Sequence, residues 1–87
     1  MKYRVIYSHA ALKQLDKMEQ RDYLAVYKHL VTLKENPKQE NSKQLTASKL
    51  YRLRAGNFRI IYSIKEKEKL VEIVRVMRRR ENTYKGL

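Results

Sequence analysis

Arg52 and Arg54 alternate with Leu53 in Tyr51-Arg52-Leu53-Arg54, and Arg59 follows in Phe58-Arg59-Ile60-Ile61-Tyr62, just past a Gly56-Asn57 pair. Residues two apart on an extended strand share a face, so Arg52 and Arg54 point the same way. A Gly-Asn turn folds Arg59 back beside them. Val74-Arg75-Val76 ends a third apolar run, and Arg78-Arg79-Arg80-Glu81-Asn82-Thr83-Tyr84 comes after it. Guanidinium groups gathered on one small sheet repel each other and favour a polyanionic acceptor, for which RNA phosphate is the natural candidate.

Composition narrows the chemistry further. The chain has 87 residues, which suits one domain with one modest core. Lys and Arg number 21 against 9 Asp and Glu, a formal net charge of +12 that speeds encounter with polyanions. The absence of cysteine excludes disulfides, thiolate catalysis and the common zinc sets. His9 and His29 are not in a metal-ligand spacing. No apolar stretch approaches the roughly 20 residues of a membrane span, and the N-terminus does not read as a signal peptide. The expectation is a soluble, cytoplasmic protein with no cofactor and no membrane partner.

The elements that must carry these arginines follow from periodicity. Tyr3 to Tyr7 read as a short strand. Ser8 is placed to cap a helix carrying Ala11, Leu12, Leu15 and Met18 at helical spacing. Asp22 is placed to cap a second helix with a wide apolar stripe of Tyr23, Leu24, Tyr27, Leu30, Val31 and Leu33, ended by Asn36-Pro37. Residues 38–48 read as a polar loop with room for one helical turn. Strands are predicted over Leu50 to Ala55, Phe58 to Lys65 and Lys69 to Met77. Strict alternation in the last puts Leu70, Glu72, Val74 and Val76 on one face and Val71, Ile73, Arg75 and Met77 on the other. Both faces must then be partly covered, so this strand is expected to be central. The predicted fold is α+β, ordered β-α-α-β-β-β: an antiparallel meander with two N-terminal helices packed on one face and the other face free. Tyr3, Tyr7, Tyr23 and Tyr27 are expected at the core or its boundary, and Tyr51 and Tyr62 are expected to pack.

This element order resembles the RelE/ParE toxin superfamily, as do Leu50-Tyr51-Arg52-Leu53-Arg54, Gly56-Asn57-Phe58-Arg59-Ile60-Ile61-Tyr62, Val74-Arg75-Val76 and the closing Arg-Arg-Glu-Asn-Thr-Tyr. The similarity spans residues 1–87 as a single RelE-like domain. It implies a toxin of a type II toxin–antitoxin system, held silent by a cognate antitoxin in a heteromeric complex. RelE-like members are metal-independent endoribonucleases that cut mRNA on the ribosome and so inhibit translation, whereas ParE-like members poison DNA gyrase. Carried onto this chain, the RelE-type catalytic groups fall on Arg52, Arg54, Arg59, Arg79 and Tyr84, with Arg78 or Arg80 replacing Arg79 if the register slips. Lys49, Arg75, Arg78 and Arg80 are the expected RNA-binding residues. Many members carry lysine at the paired strand positions where this chain has arginine.

Internal cleavage of RNA needs a base for the 2′-hydroxyl, stabilisation of the pentavalent phosphorus and neutralisation of the leaving 5′-oxygen. Arginines can supply the last two. They cannot supply the first, because the guanidinium does not deprotonate in proteins. The resemblance leaves Tyr84 as candidate base, its phenol acidified by nearby cations, or as a stacking group; Glu81 is a second candidate. Plainer roles stand beside these. Arg52 and Arg54 can be solvated positions that discourage edge pairing. Arg78-Arg79-Arg80 can be a tail that touches phosphate without chemistry, Tyr84 can be a packing aromatic, and Lys38, Lys43 and Lys49 can be solvated rather than bound to ribosomal RNA.

Overall fold

The computed structural model describes residues 3–38, 42–45 and 49–78. In chain order it contains β1 (Arg4–Tyr7), α1 (His9–Asp16), α2 (Gln20–Glu35), β2 (Ser42–Gln44), β3 (Leu50–Ala55), β4 (Phe58–Lys65) and β5 (Leu70–Arg78). The α+β architecture expected from the sequence is present, with one additional strand. β2 falls within the segment that the sequence reads as a loop. Its three residues, Ser-Lys-Gln, carry no apolar alternation, and only pairing with β3 makes them a strand.

The strands form one sheet in the order β1-β5-β4-β3-β2. β3, β4 and β5 make the antiparallel meander, and β1 joins the far side of β5 in parallel. The sheet is therefore mixed, and β5 is interior, as its apolar content on both faces required. The turn from β3 to β4 has Gly56 at φ +62° and Asn57 at ordinary φ. That is the type II′ pattern, whose twist matches the flanking strands. Gly56→Val is expected to lower stability by about 1–2 kcal/mol, since a side chain at this φ meets its own backbone. Chemical denaturation measures this directly.

Ser8 sits at φ −70°, ψ 163°, and its hydroxyl accepts the Ala11 amide at 3.1 Å, so the expected cap of α1 is in place. α2 begins earlier than the sequence suggests. Its N-cap is Glu19, with no side-chain cap hydrogen bond, and Asp22 lies in the first turn. There its carboxylate favours the positive end of the helix without capping it. The helix stops at Asn36, before Pro37, as expected.

Ala11, Val26, Leu30 and Leu33 from the helices pack on Leu53, Ala55, Phe58, Ile60, Tyr62, Val71, Ile73 and Val76 from one face of the sheet. The stripe on α2 is narrower than its composition implied. Val26, Leu30 and Leu33 are buried, whereas Leu24 and Tyr27 are 48% and 46% exposed, and Tyr23 and Val31 are also exposed. A flat sheet touches a helix along one line of residues, so apolar side chains to either side remain in water. Tyr23 and Tyr27 therefore stack on each other, centroids 5.9 Å apart, instead of entering the core.

The ladder between β4 and β5 pairs Ile61 with Arg75 but Tyr62 with Ile73, leaving Val74 without a counterpart. This β-bulge overturns strict alternation along β5. Val76 joins Val71 and Ile73 on the helix-covered face, and Arg75 moves to the opposite one.

Candidate nucleic-acid interface

The face of the sheet away from the helices is read off its pairing register, because directly opposed residues share a face. Lys43 lies opposite Arg52, Arg52 opposite Ile61, and Ile61 opposite Arg75, giving one row across β2, β3, β4 and β5. The neighbouring row runs Arg54, Arg59, Met77. The chain thus aligns two like-charged cross-strand pairs, Lys43 with Arg52 and Arg54 with Arg59. Like charges set directly opposite destabilise a sheet. Departures from a local rule of this kind are expected at functional or strained sites.

Lys43, Arg52, Arg54, Gly56 and Arg59 line a concavity of 540 Å³, with no carboxylate among its described lining residues. The hairpin geometry explains how it forms. The two-residue turn at Gly56-Asn57 sets Arg54 against Arg59, and alternation keeps Arg52 on their side. Lys43 reaches the rim only because β2 pairs with β3. Tyr62 helps to fix that strand. Its ring is buried and stacks on Tyr51 at 5.7 Å, its hydroxyl donates to the Pro37 carbonyl at 2.6 Å, and it also meets Ser42, the first residue of β2. Tyr62→Phe leaves that buried carbonyl without its donor. The expected cost is about 1–3 kcal/mol in chemical denaturation, with faster amide exchange in residues 42–45.

The expected site residues are not all brought together. Arg52, Arg54 and Arg59 converge as the sequence implied. Arg75 lies on the same face, one strand beyond Ile61. Arg78 does not join them: it pairs with Phe58, and its guanidinium lies 5.9 Å from the Phe58 ring centroid, so it shares the face of the core. Lys49 is exposed at the entrance to β3, away from the described lining. Lys38 is paired with Glu66 at 3.1 Å instead of facing the concavity. Arg79, Arg80, Glu81 and Tyr84 lie outside the described residues. Lys43 was the residue least visible from sequence. Its only signal was a lysine near a predicted strand, and the strand that carries it has no periodicity of its own.

No base is evident among the described phenols with shifted acidity. Burial holds Tyr62 and Tyr7 above the ordinary tyrosine range. Tyr3 is raised mainly by donating a hydrogen bond to Glu66 at 2.5 Å, and that bond in turn lowers Glu66. The described face can bind and polarise a phosphodiester through fixed positive charge. No group of three or more His, Asp or Glu able to hold a metal ion occurs among the described residues, and no helix among them is long and apolar enough to cross a membrane.

Comparison with known proteins places this geometry in context. A family profile described as the ParE toxin of the type II toxin–antitoxin system parDE matches residues 5–83. The fold is similar to the archaeal RelE–RelB complex from Pyrococcus horikoshii OT3, with 28% identity, TM-score 0.81, and 93% of this chain and 99% of that chain covered. It is also similar to the RelBE2 toxin–antitoxin complex from Mycobacterium tuberculosis, with 26% identity, TM-score 0.79, and coverage of 90% and 99%. A YoeB/ParE toxin from Agrobacterium tumefaciens shares the fold at TM-score 0.76 with 10% identity, covering 86% of this chain and 96% of that one. No curated protein sequence matches significantly.

Proposed function

Because this chain belongs to the ParE toxin family of type II toxin–antitoxin systems, within the RelE/ParE superfamily, we propose that its cationic face cleaves messenger RNA on the ribosome. The observation that carries this reading is the concavity lined by Lys43, Arg52, Arg54 and Arg59 with no carboxylate among its described lining residues. Four fixed cations in one hollow are costly to hold together and are suited to a phosphodiester whose charge grows in the transition state. The 2′-oxygen attacks the adjacent phosphorus, the bond from phosphorus to the 5′-oxygen breaks, and the products are a 2′,3′-cyclic phosphate and a 5′-hydroxyl. In this reading Arg52, Arg54 and Arg59 hold the non-bridging oxygens. Arg79 neutralises the leaving 5′-oxygen, which takes up a proton from water, and Tyr84, as the phenolate, accepts the 2′-proton or else stacks on a base. Arg75 and Lys43 extend the track along the RNA backbone.

Arginine charge without a strong base makes a weak free-standing nuclease. Alignment by a large partner supplies what is missing, since misplacement by about 1 Å costs roughly a hundredfold. The ribosome fills that role in this reading. A cognate antitoxin is the expected protein partner, because the similar structures from Pyrococcus horikoshii and Mycobacterium tuberculosis are toxin–antitoxin complexes.

The test is to mix the purified chain with programmed ribosomes and map new 5′ ends on the message. New ends bearing 5′-hydroxyls are expected, and an intact message at saturating protein rejects the reading. A second reading, inhibition of DNA gyrase without nuclease activity, is favoured by the family profile itself, which describes ParE toxins. Loss of gyrase supercoiling at the same concentrations, with the message intact, would establish it instead.

A further inference from the structure

Alternation along β5 would carry Arg75 to the helix-covered face with Val71 and Ile73, and only the bulge at Val74 turns it toward Arg52 and Arg59. A bulged residue is left out of the ladder, so its backbone groups need partners from elsewhere. Here the partner is Ser8. Its hydroxyl donates to the Val74 carbonyl at 2.6 Å, and its amide donates to the Ile73 carbonyl at 2.9 Å. Ser8 directly follows Tyr7, the β1 residue that pairs with Ile73, so β1 delivers it to the bulge. The same hydroxyl accepts the Ala11 amide as the cap of α1. A serine hydroxyl has one proton to give and lone pairs to accept with, and this one uses both. On the far side of the bulge, the Nε of Arg75 is buried with no hydrogen-bond partner among the described residues. Arg75 is thus half-buried on the face it shares with Arg52, Arg54 and Arg59, its Nε shielded from solvent.

We infer that Ser8 is a positioning residue for the cationic face: by tethering the Val74 bulge it holds Arg75 toward a bound RNA backbone. The inference rests on the reading of that face as an RNA site. It also differs sharply from the simpler role of Ser8 as a helix cap. Aspartate caps a helix as well as serine does, but a carboxylate has no proton to offer the Val74 carbonyl. Threonine keeps both functions.

The closing experiment uses the full chain and an oligouridylate of about ten residues, with Ser8→Asp, Ser8→Thr, Arg75→Gln and the double variant Ser8→Asp/Arg75→Gln. Ser8→Asp is expected to lower RNA affinity roughly tenfold at low salt, while a thermal melt shows it folded. Its plot of log affinity against log salt should flatten by about 0.7, the contribution of one neutralised phosphate on a single strand, and Arg75→Gln should flatten it equally. The double variant should bind no worse than Arg75→Gln alone, since both changes remove one contact. Ser8→Thr should behave as the parent. In the free protein, the Nε proton of Arg75 should exchange slowly in the parent and in Ser8→Thr, and quickly in Ser8→Asp. Parent-like binding, salt slope and exchange in Ser8→Asp would overturn the inference, as would additive losses in the double variant. If the parent chain itself binds no RNA, the reading of the face fails, and the exchange measurement still decides whether Ser8 sets Arg75.

Discussion

Arg59→Ala is expected to slow message cleavage on programmed ribosomes by roughly a hundredfold to a thousandfold, the usual loss when one preorganised donor to transition-state charge is removed. Arg59 is the second residue of β4, is half-buried, and lies directly opposite Arg54. Strand pairing fixes its backbone, so its place on the face is set before substrate arrives. Arg59→Lys should recover only part of the rate, because the ammonium keeps the charge but not the planar fork that meets two oxygens at once. Arg59→Ala is expected to leave stability unchanged or slightly higher in chemical denaturation, since it relieves the like-charge pair with Arg54. A variant that is at least as stable yet inactive separates a binding role from a folding role. If Arg59→Ala cleaves at the parental rate, Arg59 has no part in the chemistry.

The second large effect is the salt dependence of RNA binding. If Lys43, Arg52, Arg54, Arg59 and Arg75 each neutralise one phosphate of a single strand, log affinity should fall with log salt at a slope of about −3.5. Between about 50 and 200 mM salt, binding should then weaken roughly a hundredfold. Arg54→Gln should reduce the slope by about 0.7. Arg78→Gln should leave it nearly unchanged, because Arg78 stacks on Phe58 on the other face. Fluorescence anisotropy with an oligouridylate at several salt concentrations measures all three slopes. Equal slopes for Arg54→Gln and Arg78→Gln would contradict the assignment of the two faces.

These two expectations depend on features that differ in how openly the chain displays them. Arg52, Arg54 and Arg59 are legible from residue order because a two-residue turn and alternation are local rules. They need only Leu53, Gly56 and Asn57 between the arginines. The Ser8 cap and the stop at Asn36-Pro37 are local for the same reason. The width of the α2 stripe is not local. Tyr23, Leu24, Tyr27 and Val31 satisfy helical periodicity as well as Val26 and Leu30 do, and only contact with the sheet separates buried from exposed.

The sequence by itself determined the α+β class, the order of helices and main strands, and the arginine hairpin, because each follows from short-range periodicity and turn chemistry. Only the tertiary structure decided the rest. β2 exists because β3 offers it an edge, which brings Lys43 to the concavity. Arg75 lies on the face of Arg52 and Arg54, and not toward the helices, because one extra residue at Val74 shifts the pleat by half its period. Arg78, past that shift, falls on the face of Phe58. A strand repeats every two residues, so a single unpaired residue reverses every side chain beyond it. The carbonyl of that residue accepts the hydroxyl of Ser8, 66 positions away in the chain.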